Sequence, residues 1–189
     1  MQLIPVFKIG IINAWIFAVC YFLIPLLIML INRRAYNKLG NPSGMNKMEK
    51  VMGNIATIII YIASLYSIFL PIKLETAWFY IGLFIFISGL SILIIAIINF
   101  LTTPLDAPVT KGIYSYSRNP MYFATFIIFL GIGIATASWV ILLVAIIFLI
   151  LTNIITNSEE RFCKEIYGDT YKEYLNRTSR WIGTPKSSK

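Results

Sequence analysis

The short stretch YSRNPMY, residues 116–122, places polar side chains directly before a long apolar run that begins at Met121. Pro120 suits the first turn of a helix, because its missing N–H would have no intrahelical partner there. Such a helix start presents free backbone N–H groups and a partial positive charge. Arg118 adds a guanidinium with forked donor geometry. These residue types suit a carboxylate or phosphate ligand, although an arginine here also fits a simple cationic flank of a membrane segment.

Two adjacent carboxylates, Glu159 and Glu160, follow a second apolar run. A pair of acidic side chains within one helical turn suits an amine ligand. Asn157 with Glu160 also has the spacing of a helix capping box, and spacing alone favours this structural role. The pair is therefore a candidate amine site with a competing structural explanation.

Tyrosines and one aspartate lie near the first stretch in sequence. Tyr114, Tyr116 and Tyr122 carry rings that can face a cation, but tyrosines at a membrane boundary commonly serve as interface anchors. Asp106 is the only acidic residue of its loop and is flanked by two prolines, which is typical of a turn. Both kinds of residue remain candidates for a ligand site, each beside its structural explanation.

Composition places these residues in an integral membrane protein. The chain has 189 residues, of which 58% are hydrophobic and 13% charged, against about 45–50% and about 25% in soluble domains. It contains no histidine, which excludes histidine bases, histidine metal ligands and Ser-His-Asp triads. Cys20 and Cys163 form neither a paired zinc motif nor a disulfide framework. We therefore expect no metal site. The net charge of +8 fits basic residues that anchor the protein beside anionic lipid better than it fits a nucleic-acid partner.

Hydropathy predicts an all-α fold, an integral membrane bundle of five transmembrane helices with short cytoplasmic C-terminal helices. The C-terminal helices are expected from Ser158 to Tyr167 and from Asp169 to about Thr178, separated by Gly168. The five predicted spans are Val6–Ile31 with a kink at Pro25, Val51–Leu70, Ala77–Phe100, Met121–Ala137 and Trp139–Ile155.

Two further expectations concern the contacts of these helices. Gly131 and Gly133 should allow close helix–helix contact. Tyr167, Tyr171 and Tyr174 give the C-terminal helices an aromatic side suited to the lipid interface. The length of the chain predicts that all of these elements form one compact bundle.

The distribution of basic residues predicts the orientation in the membrane. Fourteen lysines and arginines fall on one side of the predicted spans, and only Lys8 and Lys73 fall on the other. By the positive-inside rule the N-terminus lies outside the cell, and the loop 101–120 and the tail 156–189 both lie in the cytoplasm. The two polar stretches therefore meet at the same face of the membrane, the cell membrane in a prokaryote.

The combination of motifs resembles the isoprenylcysteine carboxyl methyltransferase family. Two stretches carry the resemblance, first KGIYSYSRNPMYFATFIIFLGIG and then SEERFCKEIYGDTYKEYLNRTSRWIG. They are similar to four motifs of the family in the same order: Gly-hydrophobic-Tyr, Arg-His-Pro-x-Tyr, Glu-Glu and Phe-Gly-x-x-Tyr-x-x-Tyr. The resemblance covers about residues 104–183, while the first three spans match by hydropathy alone. The chain looks like a minimal prokaryotic or archaeal member with a single domain, residues 1–189. This domain is expected to comprise three N-terminal spans (1–100), a cofactor-binding catalytic region (101–183) and a disordered tail (184–189).

The resemblance implies methyl transfer from S-adenosylmethionine, with S-adenosylhomocysteine as product, to the C-terminal carboxylate of a prenylated cysteine or similar lipid-like substrate. It implies catalytic roles for Arg118, Asn119 and Asn153. It also implies that Glu159 or Glu160 holds the amino group of the cofactor. The remaining cofactor-binding residues implied by the resemblance are Asp106, Ala107, Pro108, Val109, Tyr114, Asn119, Pro120, Met121 and Tyr122.

Two positions depart from the family pattern. Asn119 stands where the family has histidine; it can donate and accept hydrogen bonds but does not titrate near neutral pH. Eukaryotic members place a substrate arginine shortly before the acidic pair, whereas the corresponding stretch here, TNIITN, has none, and Asn153 is the nearest substitute. The second departure bears on the substrate more than on the cofactor.

Chemistry favours a carboxylate acceptor, because an ionised carboxylate needs no general base and requires only alignment with the methyl group in a water-poor site. A phospholipid-type N-methyltransferase is the first alternative, but its amine must lose a proton, and the sequence offers no evident base. A sterol-reductase-like enzyme with a nicotinamide cofactor is normally much longer. Outside the enzymes, the alternatives are a small transporter and a non-catalytic membrane scaffold. A transporter would place ionisable residues or broken helices at mid-membrane, whereas the polar residues here lie at one edge. The sequence therefore predicts a membrane methyltransferase in which Tyr122 and Glu160 share one cavity.

Overall fold

The computed structural model describes residues 10–31, 46–104 and 106–185. Several features predicted from the sequence lie outside these residues. They are the start of the first span at Val6, the basic residues Lys8, Arg33, Arg34 and Lys38, and residues 186–189 of the predicted disordered tail.

The described residues form five α-helices and no β-strand, which confirms the all-α prediction. Single 3₁₀ turns at Ser67–Phe69 and Gly112–Ser115 precede α3 and α4. Each helix occurs where a span was predicted, and most ends shift by a few residues at most. The exceptions are the end of α5 and the start of α1, which begins at Trp15 because residues 10–14, inside the predicted first span, are not helical. The helices are α1 (Trp15–Ile31), α2 (Lys47–Tyr66), α3 (Ala77–Thr102), α4 (Pro120–Ala135) and α5 (Trp139–Arg177).

Three helical segments are long and apolar enough to cross a membrane: Lys47–Phe69, Ala77–Thr102 and Trp139–Arg177. The other two apolar helices, Trp15–Ile28 and Pro120–Ala135, are shorter. At 1.5 Å per residue, a helix the length of α4 covers about 24 Å, less than the ~30 Å hydrocarbon core of a bilayer. Length and composition therefore support three of the five predicted spans directly.

Glycines bring α3 and α4 into close contact in the centre of the bundle. A Cβ atom on Gly131 would lie 2.6 Å from the backbone nitrogen of Phe86 in α3. A Cβ on Gly133 would lie 2.6 Å from the Leu142 side chain in α5. Small residues at such contacts let helix backbones approach each other. Both glycines thus have the packing role that the sequence predicted.

The end of α5 differs from the prediction. The sequence predicted a span that ends at Ile155 and a separate helix that begins at Ser158, but α5 continues without a break through this region. No glycine or proline interrupts it there, and the Ser158 hydroxyl donates back to the carbonyl of Ile155 at 2.7 Å instead of capping a new helix. The predicted break at Gly168 is correct, since its φ of 53° and ψ of −127° kink the helix at that point.

An ion pair between buried Glu49 and exposed Arg161 ties α2 to α5. Glu49 forms a capping box with Asn46 at the start of α2. One guanidinium nitrogen of Arg161 lies 3.1 and 2.9 Å from the two carboxylate oxygens of Glu49. The contact fixes the start of α2 beside the part of α5 that carries the two adjacent glutamates.

Candidate functional site

A polar cavity of about 390 Å³ lies where the loop before α4, the start of α4 and the second half of α5 meet. Its volume falls in the range of about 300–1,000 Å³ that is typical of small-molecule sites. The residues that line it are Phe100, Pro108, Val109, Tyr114, Arg118, Asn119, Pro120, Met121, Tyr122, Glu159, Glu160, Phe162, Cys163, Tyr167, Tyr171 and Tyr174.

The start of α4 forms one wall of this cavity. Pro120 occupies the first turn of the helix, as the sequence predicted. The preceding Asn119 is buried, and its backbone N–H donates to the Ser117 hydroxyl at 3.2 Å. The first N–H groups of an α-helix have no intrahelical acceptor. This wall therefore presents backbone donors and the positive end of the helix dipole to the cavity.

Tyr122 and Glu159 connect α4 to α5 across the cavity. The Tyr122 hydroxyl donates to the Glu159 carboxylate at 2.6 Å. Glu159 lies beyond the apolar part of α5, which ends near Ile155. Burial raises the pKa of the Glu159 carboxyl, the charge of Glu160 adds to the rise, and the hydrogen bond from Tyr122 opposes it. Within the described part of the chain, Glu159 is thus a partly buried carboxylate whose one hydrogen-bond donor is the neutral Tyr122 hydroxyl.

Glu160 has different partners from its neighbour. Its carboxylate lies 3.4 Å from Nη1 of Arg118 and 2.8 Å from Nη2 of Arg180. Nε of Arg180 donates a further hydrogen bond to it at 3.2 Å. The capping box predicted for Asn157 and Glu160 is therefore wrong, because α5 does not begin there and the carboxylate binds two guanidinium groups instead.

The residues after α5 return to the start of α4 and place Arg180 at the site. We call residues 178–183 the C-terminal strap. The backbone N–H of Arg118 donates to the carbonyl of Ser179 at 3.0 Å, and the N–H of Gly183 donates to the carbonyl of Tyr116 at 3.0 Å. The side chain of Asn119 donates to the carbonyl of Arg180 at 3.3 Å. These bonds hold the strap against residues 116–119.

Sequence reasoning did not identify Arg180 as a site residue. Its contact with Glu160 spans 20 residues and depends on the kink at Gly168, which no periodic pattern encodes. An indirect signal was available in the sequence. The resemblance predicts a substrate arginine near Asn153, and the sequence has no arginine in that stretch. In the structure, Nη1 of Arg180 donates to Oδ1 of Asn153 at 3.2 Å.

Tyrosine rings form much of the remaining cavity surface. Tyr171 and Tyr174 are 7% and 2% exposed, so the prediction that they face the lipid interface is wrong for both. The Tyr174 hydroxyl donates to the carbonyl of Tyr114 at 2.7 Å. Burial raises the pKa of the Tyr114 phenol, which therefore stays neutral. Neutral aromatic faces in a buried cavity suit a flat ring or a cation.

The predicted site residues are not all at the cavity. Pro108 and Val109 line it, whereas Asp106 and Ala107 are absent from its lining and Asp106 is exposed. Asn153 is exposed and also lies outside the lining. Tyr116, a further candidate from the sequence, is exposed and outside the lining, whereas the other predicted site residues line the cavity.

Cys163 lines this cavity as a neutral thiol. Burial raises the pKa of the Cys163 thiol to about 11, so the thiol is protonated at neutral pH and is a poor nucleophile. Among the described residues, no cluster of histidine, cysteine, aspartate or glutamate side chains could hold a metal ion.

A second, larger groove of about 720 Å³ lies between α1 and α2. Its lining is almost entirely apolar and includes Phe22, Leu26, Tyr61 and Leu65. The described residues that line this groove include no charged side chain, and such a lining does not orient a polar cofactor. The smaller polar cavity is therefore the candidate site.

A family model described as phospholipid methyltransferase matches residues 76–170, half of the chain. The matched range contains α3, α4 and α5 as far as the kink, together with the cavity residues from Phe100 to Tyr167. Tyr171, Tyr174 and the C-terminal strap with Arg180 lie beyond it. A search of curated proteins found no match.

Proposed function

The chain belongs to the phospholipid methyltransferase family of membrane methyltransferases, to which the isoprenylcysteine carboxyl methyltransferases also belong, and we propose that it methylates the carboxylate of a prenylcysteine or similar lipid-like acceptor with S-adenosylmethionine. The observation that carries the proposal is the single cavity that joins the start of α4, the adjacent glutamates of α5 and a group of buried tyrosines. This proposal assigns the cofactor to that cavity.

The donor set of the cavity fits the charges of S-adenosylmethionine. A glutamate suits its ammonium group, and the tyrosine rings suit its adenine and its sulfonium. Arg118 and the N-terminus of α4 suit its carboxylate. Nε of Arg118 is buried and has no hydrogen-bond partner within the described part of the chain, and an unpaired buried donor is costly unless a ligand satisfies it.

When bound, the cofactor would supply an electrophilic methyl group on a sulfonium. The residues of the chain have three tasks: to orient both substrates, to exclude water and to balance charge. Buried tyrosines at the cavity exclude water, and the Tyr122–Glu159 hydrogen bond fixes the carboxylate in place. No general base is required when the acceptor is already ionised.

The charge beside the cavity favours an anionic acceptor. Arg118, Glu160 and Arg180 form a cluster with two positive charges and one negative charge. With ionised Glu159 these side chains sum to zero, and the cofactor, whose ammonium and sulfonium outweigh its carboxylate, would give the occupied site a net positive charge. Such a site attracts a carboxylate and repels the cationic ammonium head of an aminolipid. We therefore place carboxyl methylation ahead of amine methylation.

Amine methylation is the second candidate, and one observation favours it. An amine acceptor must lose a proton, and burial raises the pKa of Glu159, which makes this carboxylate a better base than an exposed one. The matched family is also described by its phospholipid substrates. Glu159 would then serve as the base for an aminolipid.

A transfer assay distinguishes the two acceptors. Purified protein in detergent is supplied with methyl-labelled S-adenosylmethionine and either N-acetyl-farnesylcysteine or phosphatidylethanolamine. The proposal predicts label in the farnesylcysteine as a methyl ester, from which alkali releases methanol. Alkali-stable label in the aminolipid alone would establish the second candidate, and no transfer to either acceptor would contradict both.

We also propose that all five helices cross the membrane and that the cavity opens near its cytoplasmic face. Support comes from charge: Lys47, Lys50 and Arg161 lie at the same end of the bundle as the cavity, while Lys73 lies at the other end, between α2 and α3. The cofactor would then reach the site from the cytoplasm, and a lipid-like acceptor would reach it from the bilayer.

A further inference from the structure

The two adjacent glutamates of α5 have unequal surroundings. Residues next to each other on an α-helix point in directions about 100° apart. Glu159 accepts a single hydrogen bond, from the neutral Tyr122 hydroxyl. Glu160 accepts two hydrogen bonds from the guanidinium of Arg180 and forms an ion pair with Arg118. The carboxylates therefore cannot be equivalent toward a charged ligand.

A ligand ammonium would find Glu160 already neutralised. Two N–H donors of Arg180 bond its two oxygens at 2.8 and 3.2 Å, and Nη1 of Arg118 adds an ion-pair contact at 3.4 Å. An ammonium would have to displace one of these charge-assisted bonds and would approach a cluster with a net positive charge. Glu159 carries no such counter-ion in the described structure, so it is the carboxylate that can accept an ammonium.

Arg180 is held in this position by both its backbone and its side chain. Its carbonyl accepts from the Ser117 hydroxyl and from the Asn119 side chain, each at 3.3 Å. Its guanidinium bridges Glu160 and Asn153. Arg180 is not among the residues that line the cavity. It can therefore influence a ligand there through Glu160.

We propose that Glu159 alone binds the ammonium group of the cofactor, and that Arg180 is a positioning residue that reserves Glu160 as an internal counter-ion. This assignment rests on the proposed function, because it presumes that the cavity binds S-adenosylmethionine. It predicts that replacing Arg180 releases the Glu160 carboxylate from its two hydrogen bonds with that residue. Glu160 can then bind the ammonium in a variant that lacks the Glu159 carboxylate.

Calorimetry with two ligands tests this assignment on the full-length protein in detergent. S-adenosylhomocysteine carries the ammonium, whereas 5′-methylthioadenosine lacks the whole amino-acid portion. We expect Glu159→Gln to weaken S-adenosylhomocysteine binding by roughly 10- to 100-fold, the effect of losing one charge-assisted hydrogen bond. Binding of 5′-methylthioadenosine should stay within about twofold of wild type. Glu173→Gln, at an exposed glutamate of the same helix, is the matched control and should change neither affinity.

The decisive variant is the double substitution Glu159→Gln with Arg180→Gln. It should bind S-adenosylhomocysteine about tenfold tighter than Glu159→Gln alone, because Glu160 loses both hydrogen bonds from Arg180 and keeps only its longer ion-pair contact with Arg118. The double substitution Glu159→Gln with Arg180→Lys should show no such recovery, since lysine keeps the positive charge. If Arg180 had a purely structural role, both double variants would bind S-adenosylhomocysteine more weakly than Glu159→Gln alone.

Several results would overturn the assignment. No recovery in the first double variant would contradict it, provided that 5′-methylthioadenosine binding shows an intact cavity. A larger loss in Glu160→Gln than in Glu159→Gln would also contradict it. If the first double variant does not fold, the comparison of these two single variants decides. Wild-type protein that binds neither ligand would instead refute the proposed function, and this assignment with it.

Discussion

At the scale of single residues, the candidate site contains a partly buried carboxylate, that of Glu159, with an elevated pKa. Glu159 is placed at the cavity by α5 and oriented by the Tyr122 hydroxyl at 2.6 Å. Burial raises its pKa, and the hydrogen bond from Tyr122 lowers it in part. The ionised form is required to hold an ammonium group, so affinity for the cofactor should depend on this titration.

We predict that S-adenosylhomocysteine binding weakens as the pH falls through the raised pKa of Glu159. Protonated Glu159 is neutral and loses its attraction for an ammonium, so the affinity is full above that pKa and declines below it. Tyr122→Phe removes a hydrogen bond that favours the ionised form. The midpoint of the decline should therefore move to higher pH in this variant. Calorimetry across the acid-to-neutral range measures both midpoints, and an unchanged or lower midpoint in Tyr122→Phe would contradict the assignment.

At the scale of elements, the kink in α5 brings the C-terminal strap back to the start of α4. Gly168 has a φ of 53° and a ψ of −127°, a combination that is essentially restricted to glycine. An added Cβ at this position would meet open space. Any effect of a side chain there must therefore come from backbone strain and from displacement of the strap.

Gly168→Ala should destabilise the protein by roughly 1–3 kcal/mol, the usual cost of a backbone conformation that L-residues rarely adopt. It should also weaken S-adenosylhomocysteine binding, because Arg180 would lose its position beside Glu160. Gly53→Ala is the matched control, since Gly53 lies in α2 with nothing near its added Cβ and alanine favours a helix. Thermal unfolding and calorimetry in detergent measure the two effects. Equal behaviour of the two variants would show that the kink is dispensable.

Most of the elements could be predicted from sequence, but the strap could not. Apolar runs of span length determine where α2, α3 and α4 lie, and Pro120 determines where α4 begins. The continuity of α5 was missed because its polar residues look like a helix start, although their hydroxyl groups bond back into the same helix. The pairing of Arg180 with Glu160 was missed because it depends on the three-dimensional path after Gly168 and not on spacing.

At the scale of the whole molecule, polar and apolar regions are separated. The described helices bury an apolar core and expose many large hydrophobic side chains along the bundle, which is the pattern expected of a lipid-facing surface. The charged residues of the candidate site lie at one end. The predicted orientation places that end in the cytoplasm.

Cysteine labelling tests this orientation. In a background with Cys20 and Cys163 replaced by alanine, Leu74→Cys and Glu173→Cys introduce single exposed thiols at opposite ends of the bundle. A membrane-impermeant maleimide should label position 74 in intact cells, but position 173 only after lysis. The reverse pattern would place the candidate site outside the cell and contradict the positive-inside assignment.

The most direct test of the central claim is whether filling the polar cavity blocks the cofactor. Met121 lines this cavity, and Leu65 lines the apolar groove between α1 and α2. The account predicts that Met121→Trp abolishes S-adenosylhomocysteine binding in calorimetry, while Leu65→Trp, an equally large insertion at the other cavity, binds like wild type. Retained binding in a folded Met121→Trp protein, with loss in Leu65→Trp, would show that the cofactor site lies elsewhere.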